Sequence, residues 1–241
     1  MVQKMKITVF QTGLVAEPLR DKFDNYGKMF ADLLGDGGGK FTFETVSLIE
    51  DEPLPDIANV EAIIISGSSL GVYDKKPWLD PLRDFIREAY ARRIPMIGVC
   101  FGHQIMADAL GGVVEKSQKG WGVGRHQYSI AQRPEFMADA PAQMQFNVIH
   151  QDQVISPPPN SKVVGGSAFT PNAILEYQNG AAISIQAHPE FANDYAQAVY
   201  VLRSGDLFDE QTGQQAIESI DKNNDNALMA EYFRRFLNRV N

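Results

Sequence analysis

A chain of 241 residues, at roughly 150 residues per domain, has room for one large domain with an appendage and for a full apolar core. Its 44% hydrophobic and 22% charged residues are those of an ordinary globular protein, which excludes a disordered, collagenous or disulfide-stapled chain. The 22 basic against 30 acidic side chains leave a formal charge of -8, so the basic footprint of a nucleic-acid binder is missing and small molecules or other proteins are the expected partners.

The first ten residues lack a signal-peptide pattern and nowhere do eighteen apolar residues run together, so a cytoplasmic protein that meets no membrane is expected. Met5–Phe10 reads as a buried strand. From Leu19 to Leu34, Phe23, Tyr26, Met29, Phe30 and Leu33 recur at helical spacing. Phe41–Val46, Ala62–Ile65 and Pro95–Val99 are further short apolar strands, with an amphipathic helix near Pro81–Arg92. Apolar strands alternating with helical stretches predict an α/β fold, doubly wound, with a mostly parallel sheet flanked by helices.

Beyond Gly111-Gly112 the texture changes to strand-like pieces: Val113–Lys116, Gln127–Ile130, Gln145–Ile149, Lys162–Ala168, Ala173–Tyr177 and Ala182–Ala187. These predict an antiparallel hairpin portion, and Asn179-Gly180 supplies the turn between the last two. Past Pro189 the pattern is helical again, ending in Leu228–Val240 with Leu228, Tyr232, Phe233, Phe236 and Leu237 on one stripe. The whole chain is expected to form a single domain, with a core over about residues 5–191 and a helical extension over about 192–241 packed onto it.

Two glycine clusters carry no nucleotide chemistry. Gly35-Asp36-Gly37-Gly38-Gly39-Lys40 misses the phosphate-loop spacing, and Phe41 stands where a hydroxyl is needed. Gly120, Gly122 and Gly124 have no strand before them and no helix after them in this reading. Pro157-Pro158-Pro159 reads as a stiff connector.

The single cysteine, Cys100, excludes an internal disulfide or a multi-cysteine metal site. It lies in Gly98-Val99-Cys100-Phe101-Gly102, where a strand runs directly into a helix. Small neighbours permit a sharp turn that lifts the side chain above the sheet edge, the thiol counterpart of a nucleophile elbow. A thiol at a helix N-terminus meets free N–H groups and the positive end of the helix dipole, which favour the thiolate. In Ile183–Phe191 a strand ends on His188 and Glu190 follows two positions later. Residues i and i+2 of extended backbone point the same way, so Glu190 is placed to orient the imidazole while the other ring nitrogen faces Cys100. That is the nucleophile, base and orienter of acyl transfer. Four scattered histidines offer no first shell for a metal, and His126 reads as a surface residue and His103 as structural.

Gly98-Val99-Cys100-Phe101-Gly102-His103-Gln104, together with His188-Pro189-Glu190, resembles the signature of class I glutamine amidotransferases, most of all stand-alone relatives of the GMP synthetase glutaminase domain. The likeness covers roughly Met5 to Phe191. It implies a Cys100–His188–Glu190 triad that attacks the side-chain amide of glutamine, forms a γ-glutamyl thioester, releases ammonia and hydrolyses, with no cofactor. It also implies an oxyanion hole from the backbone N–H groups of Phe101 and Ser68, and substrate contacts from Gly67, Gln104 and a loop over Val148–Val154 that includes His150, Gln151 and Asp152. The family's Ser-Gly-Gly-Pro loop here reads Ser66-Gly67-Ser68-Ser69. Serine reaches positive φ less cheaply than glycine, so the departure bears on whether the hole is preformed.

Three functions follow as alternatives. The chain is a glutaminase that hands ammonia to a separate synthetase chain, since 241 residues leave no room for a synthetase domain. Or it is a self-sufficient γ-glutamyl peptidase acting on γ-glutamyl peptides or amines. Or it is a non-catalytic binding module of the same fold, a reading the intact triad opposes.

Overall fold

The structure, a computed structural model, describes residues 4–35, 38–221 and 223–239. Five strands lie side by side and parallel in the order β2 (Phe41–Ser47), β1 (Met5–Gln11), β3 (Ala62–Ile65), β4 (Met96–Val99) and β11 (Ala182–Ile185). Strands β3, β4 and β11 are buried along their whole length, as continuous apolar runs must be when helices cover both faces. The sheet then continues antiparallel through β10 (Ile174–Tyr177), β9 (Ser161–Gly166), β6 (Gly122–Ile130) and β7 (Gln143–His150). The expected fold class is therefore observed, as a parallel core joined to an antiparallel part. Gly180, at φ 73°, makes the turn between β10 and β11.

Helices fill both faces. On one, α1 (Tyr26–Leu34) and α6 (Asn226–Arg239) pack with Met5, Ile7, Val9 and Ile97. On the other, α2 (Leu79–Ala91) and α3 (Phe101–Ala109) cover Phe10, Ile63, Ile65 and Met96. Met229, Tyr232, Phe233, Phe236 and Leu237 of α6 are all buried, each contributing roughly 1.5–3 kcal/mol, which ties the last helix to the sheet. A third apolar cluster joins Val15, Leu19 and Phe191 to α4 (Asn193–Arg203) and α5 (Glu210–Ser219). Among the described residues no helix is long and apolar enough to cross a membrane.

Several boundaries differ from the sequence reading. The first helix starts at Tyr26, not Leu19, because the Asn25 side chain accepts from the Lys28 N–H at 2.9 Å and caps it there; Leu19 closes a short 3₁₀ turn instead. Strand β6 begins five residues before Gln127, absorbing Gly122 and Gly124. The expected loop over Val148–Val154 is the end of β7 and the start of β8 (Asp152–Ser156), broken only at Gln151, where the chain leaves β6 to pair with β5 (Val113–Lys116). Asp36 and Gly37 of the glycine run, and Val240 of the last helix, lie outside the described residues.

Candidate active site

The carboxyl ends of the parallel strands converge on Cys100. This residue has φ 53° and ψ -104°, a left-sided conformation that costs a non-glycine residue about 1–3 kcal/mol, and it stands between β4 and α3. Its N–H donates to the Ile185 carbonyl at 2.9 Å, pinning the elbow to β11. The flanking glycines serve close packing. A Cβ on Gly102 would lie 2.1 Å from the Ile65 carbonyl oxygen, and one on Gly98 would lie 2.5 Å from the Gly102 oxygen. Helix α3 thus sits directly on β3 and β4 because neither glycine carries a side chain.

His188 arrives from the end of β11, the neighbour of β4. Its Nδ1 lies 2.7 Å from Glu190 Oε1, and its ring stacks on Phe191 at 3.9 Å between centroids, so its orientation is held from two sides. The Cys100 sulfur lies near enough to the same ring to raise its pKa. A Cβ on Gly67 would lie 2.8 Å from His188 Cε1 and 3.6 Å from Cys100 Cβ, so the bare backbone of Gly67 fits against both residues. Burial alone would discharge the imidazole. The Glu190 carboxylate and the Cys100 sulfur outweigh it and push His188 up to about 10, so the ring stays protonated at neutral pH.

The loop after β3 is held from behind. The Gly67 carbonyl accepts from Ser66 Oγ at 3.0 Å and Thr12 Oγ1 at 3.3 Å, at the end of β1. In a trans peptide the N–H points opposite to the C=O, so the Ser68 N–H is turned away from Thr12. Positive φ occurs among described non-glycine residues at Asp51, Arg93 and Cys100, so Ser68 carries no such strain. Among the described residues, the backbone N–H groups of Ser68 and Phe101 are matched to no acceptor.

These residues open onto a cleft of about 460 Å³ whose lining includes Cys100, His188, Ser68, Gln104, His150, Gln151 and Asp152. Gln104 donates its Nε2 to the Asp152 carbonyl at 2.9 Å and to Gln186 Oε1 at 3.2 Å, leaving its Oε1 for the cleft. His150 places Nδ1 at 3.1 Å from the Asp152 carbonyl and Nε2 at 3.4 Å from Thr170 Oγ1. Burial, reinforced by nearby His126, pushes His150 down to about 3, so it is a neutral wall. His126 is half-buried rather than fully at the surface: burial lowers its pKa, and its ring meets the edge of Phe169 at 5.3 Å. His103 is buried in the core, with Nδ1 2.8 Å from Ser184 Oγ. Among the described residues no group of three His, Cys, Asp or Glu is arranged to hold a metal ion.

Three contributors escaped the sequence reading. Gln186 reaches the Cys100 sulfur with Nε2 at 3.7 Å, and its place two residues before His188 on the same side of the chain was a usable signal. Tyr73 donates its hydroxyl to Asp152 Oδ2 at 2.7 Å from 79 positions away, which no local pattern announces. Phe191, the stacking partner of His188, reads in sequence as an ordinary core residue.

Residues 21–203 match the glutamine amidotransferase class-I family. A glutamine amidotransferase-like protein of Schizosaccharomyces pombe is 28% identical over 89% of this chain and 91% of its own length. Gamma-glutamyl peptidase 4 of Arabidopsis thaliana is 29% identical over 80% of this chain and 79% of its own. GMP synthase (glutamine-hydrolyzing) of Thermus thermophilus is 32% identical over 59% of this chain but only 27% of its own length. A glutamine amidotransferase crystal structure from Thermotoga maritima superimposes with a TM-score of 0.78 over 99% of this chain and 98% of that one, at 18% identity. The chain belongs to the class I glutamine amidotransferases, with a distant relation to both GMP synthase glutaminase domains and gamma-glutamyl peptidases.

Proposed function

We propose that this protein hydrolyses γ-glutamyl amides through a thioester on Cys100. The observation that carries the reading is the meeting of Cys100, His188 and Glu190 at one end of a cleft. The Cys100 thiolate attacks the γ-carbonyl carbon, forming the S–C bond and placing negative charge on the carbonyl oxygen. The unmatched N–H groups of Phe101 and Ser68 receive that charge. His188, held at Nδ1 by Glu190, gives its Nε2 proton to the amide nitrogen as the C–N bond breaks and the amine departs. Water then attacks the thioester carbonyl, losing a proton to His188 and releasing glutamate and the thiolate. Gln104, His150 and Gln151 line the glutamyl end, and Gly67 packs behind it against Cys100 and His188. The Asp152 carboxylate, aimed by Tyr73, meets the α-ammonium group. No cofactor enters any step.

Glutamine, with ammonia as the product, is the smallest substrate that satisfies this chemistry. The match to a γ-glutamyl peptidase over most of both chains supports an enzyme that works without a synthetase partner, whereas the match to GMP synthase covers only its glutaminase part. A diazo-ketone analogue of glutamine should label Cys100 alone, read by peptide mass spectrometry. An adduct elsewhere, or none on folded protein, would remove the nucleophile from this reading.

The hydroxyl of Thr12 acts as a positioning group, because it reaches both the Ser66 carbonyl at 3.0 Å and the Gly67 carbonyl at 3.3 Å, behind the Gly67–Ser68 peptide whose N–H is on the far side. Thr12→Val should lower kcat about 10-fold, less than the loss of a whole oxyanion donor, with KM little changed. Thr12→Ser, which keeps the hydroxyl, should restore most of the rate. Equal kcat for all three forms would show that the peptide needs no such hold.

A further inference from the structure

The cleft is larger than glutamine. A water molecule takes about 30 Å³ of liquid and bonded atoms take less, so the ten non-hydrogen atoms of glutamine fill under roughly 300 Å³. The cleft offers about 460 Å³.

The excess volume has a direction. His188 must stand beside the departing nitrogen, since its proton goes there. Phe191 stacks on that imidazole, and Tyr195 meets Phe191 edge-on at 4.6 Å between centroids. Tyr195 then opens a stripe on α4, with Val199 and Arg203 following at intervals of four residues. Eight residues at about 1.5 Å each make this stripe some 12 Å long. All three side chains line the cleft, and Leu14, Trp121 and Leu207 face them from other parts of the chain. Leu14 and Leu207 are 36% and 38% exposed, and large apolar side chains at the mouth of a cleft are suited to cover an apolar ligand. In the γ-glutamyl hydrolase reading the glutamyl group takes a different wall, built from Gln104 of α3 and from His150 and Asp152 at the β7–β8 junction.

Arg203 ends the stripe. Among the described residues its ion-pair partner is exposed Asp206, at 3.3 Å from Nη1, and its side chain is 35% exposed, so several of its five donors face solvent or the cleft. An anion presented at the outer end of the cleft has a bidentate partner there.

Resting on the γ-glutamyl hydrolase reading, we propose that the physiological leaving group is an amino acid or peptide with an apolar side chain and a free carboxylate, lying along Tyr195 and Val199 with its carboxylate on Arg203. The bond broken is then a γ-glutamyl peptide bond. The amine that departs carries the proton supplied by His188, and the acyl group is transferred to water by the same two steps as before.

The test compares kcat/KM for glutamine, γ-glutamyl-leucine and γ-glutamyl-leucinamide in the parent and in Arg203→Gln. The parent should prefer γ-glutamyl-leucine to glutamine by 10-fold or more, and the uncharged amide should lose about 10- to 100-fold. Arg203→Gln should lose about the same factor on γ-glutamyl-leucine alone, mainly through KM, and leave glutamine and the leucinamide unchanged. Arg203 is half-exposed on a helix end, so unfolding does not compete as an explanation, and a melting curve checks it. Glutamine turned over best, or Arg203→Gln acting equally on all three substrates, would overturn the leaving-group assignment. With Cys100 still labelled by the diazo ketone, that result leaves the thioester reading standing; failure of labelling together with no turnover of any substrate removes both.

Discussion

Cys100→Ala should lower the hydrolysis of every γ-glutamyl substrate by about 10⁴- to 10⁶-fold, the loss typical of removing a nucleophile from a cooperating triad. Residual activity should be insensitive to further replacement of His188, because a base with no nucleophile to serve has nothing left to add. A loss below 10-fold would place the nucleophile elsewhere. The same position yields a stability test with an unusual sign. Replacing alanine by glycine ordinarily destabilises by about 0.4–1 kcal/mol through the freedom of the unfolded chain. Cys100 sits at φ 53°, where any side chain is strained, so Cys100→Gly should be at least as stable as Cys100→Ala. Urea unfolding of the two inactive variants gives the comparison directly. If glycine proves less stable by the usual amount, the elbow is unstrained.

Gly102→Ala should be one of the most damaging methyl groups that can be added to the described residues. The added carbon would stand 2.1 Å from the Ile65 carbonyl oxygen, which is backbone of a central strand paired on both sides and has no rotamer to change. Overpacking against flexible side chains costs about 1–3 kcal/mol; here about 3 kcal/mol or more is expected. For a chain of this length that lowers the melting temperature by roughly 6–12 °C. The clash also lifts the first turn of α3 away from β3, moving the thiol and the Phe101 N–H together, and a shift near 1 Å is enough to cost about 100-fold in kcat. Calorimetry and steady-state kinetics on one sample test both parts. A variant melting within 2 °C of the parent would show that α3 has slack the packing does not suggest.

Much of the candidate site could be proposed from sequence because its residues are grouped locally. Cys100 is framed by two close-packing glycines within five residues, and His188 and Glu190 are two positions apart, so neither needs long-range knowledge. The parallel strands were equally plain, since β3 and β4 are unbroken apolar runs. Misreadings arose where a local polar group or a glycine outweighed periodicity. Asn25 stops α1 against a run of apolar residues that would otherwise extend it, and Gly122 and Gly124 hide the first half of β6 from any propensity argument. The stripe of Tyr195, Val199 and Arg203 has helical spacing, yet that spacing alone reads as a core face. Only the cleft beside it gives the stripe another meaning.

Strand β4 carries the thiol and is flanked by β3 on one side and β11 on the other, with Val99 opposite Ile185. The first of these neighbours precedes β4 in the chain and the second follows it by more than eighty residues. A ribosome therefore releases the cysteine long before the histidine has been translated. Until β11 slides into its slot, a late event for so distant a pairing, the nascent polypeptide holds its only sulfhydryl without a base. On the thioester reading, the joining of β11 to β4 is the step that brings the base to the thiol.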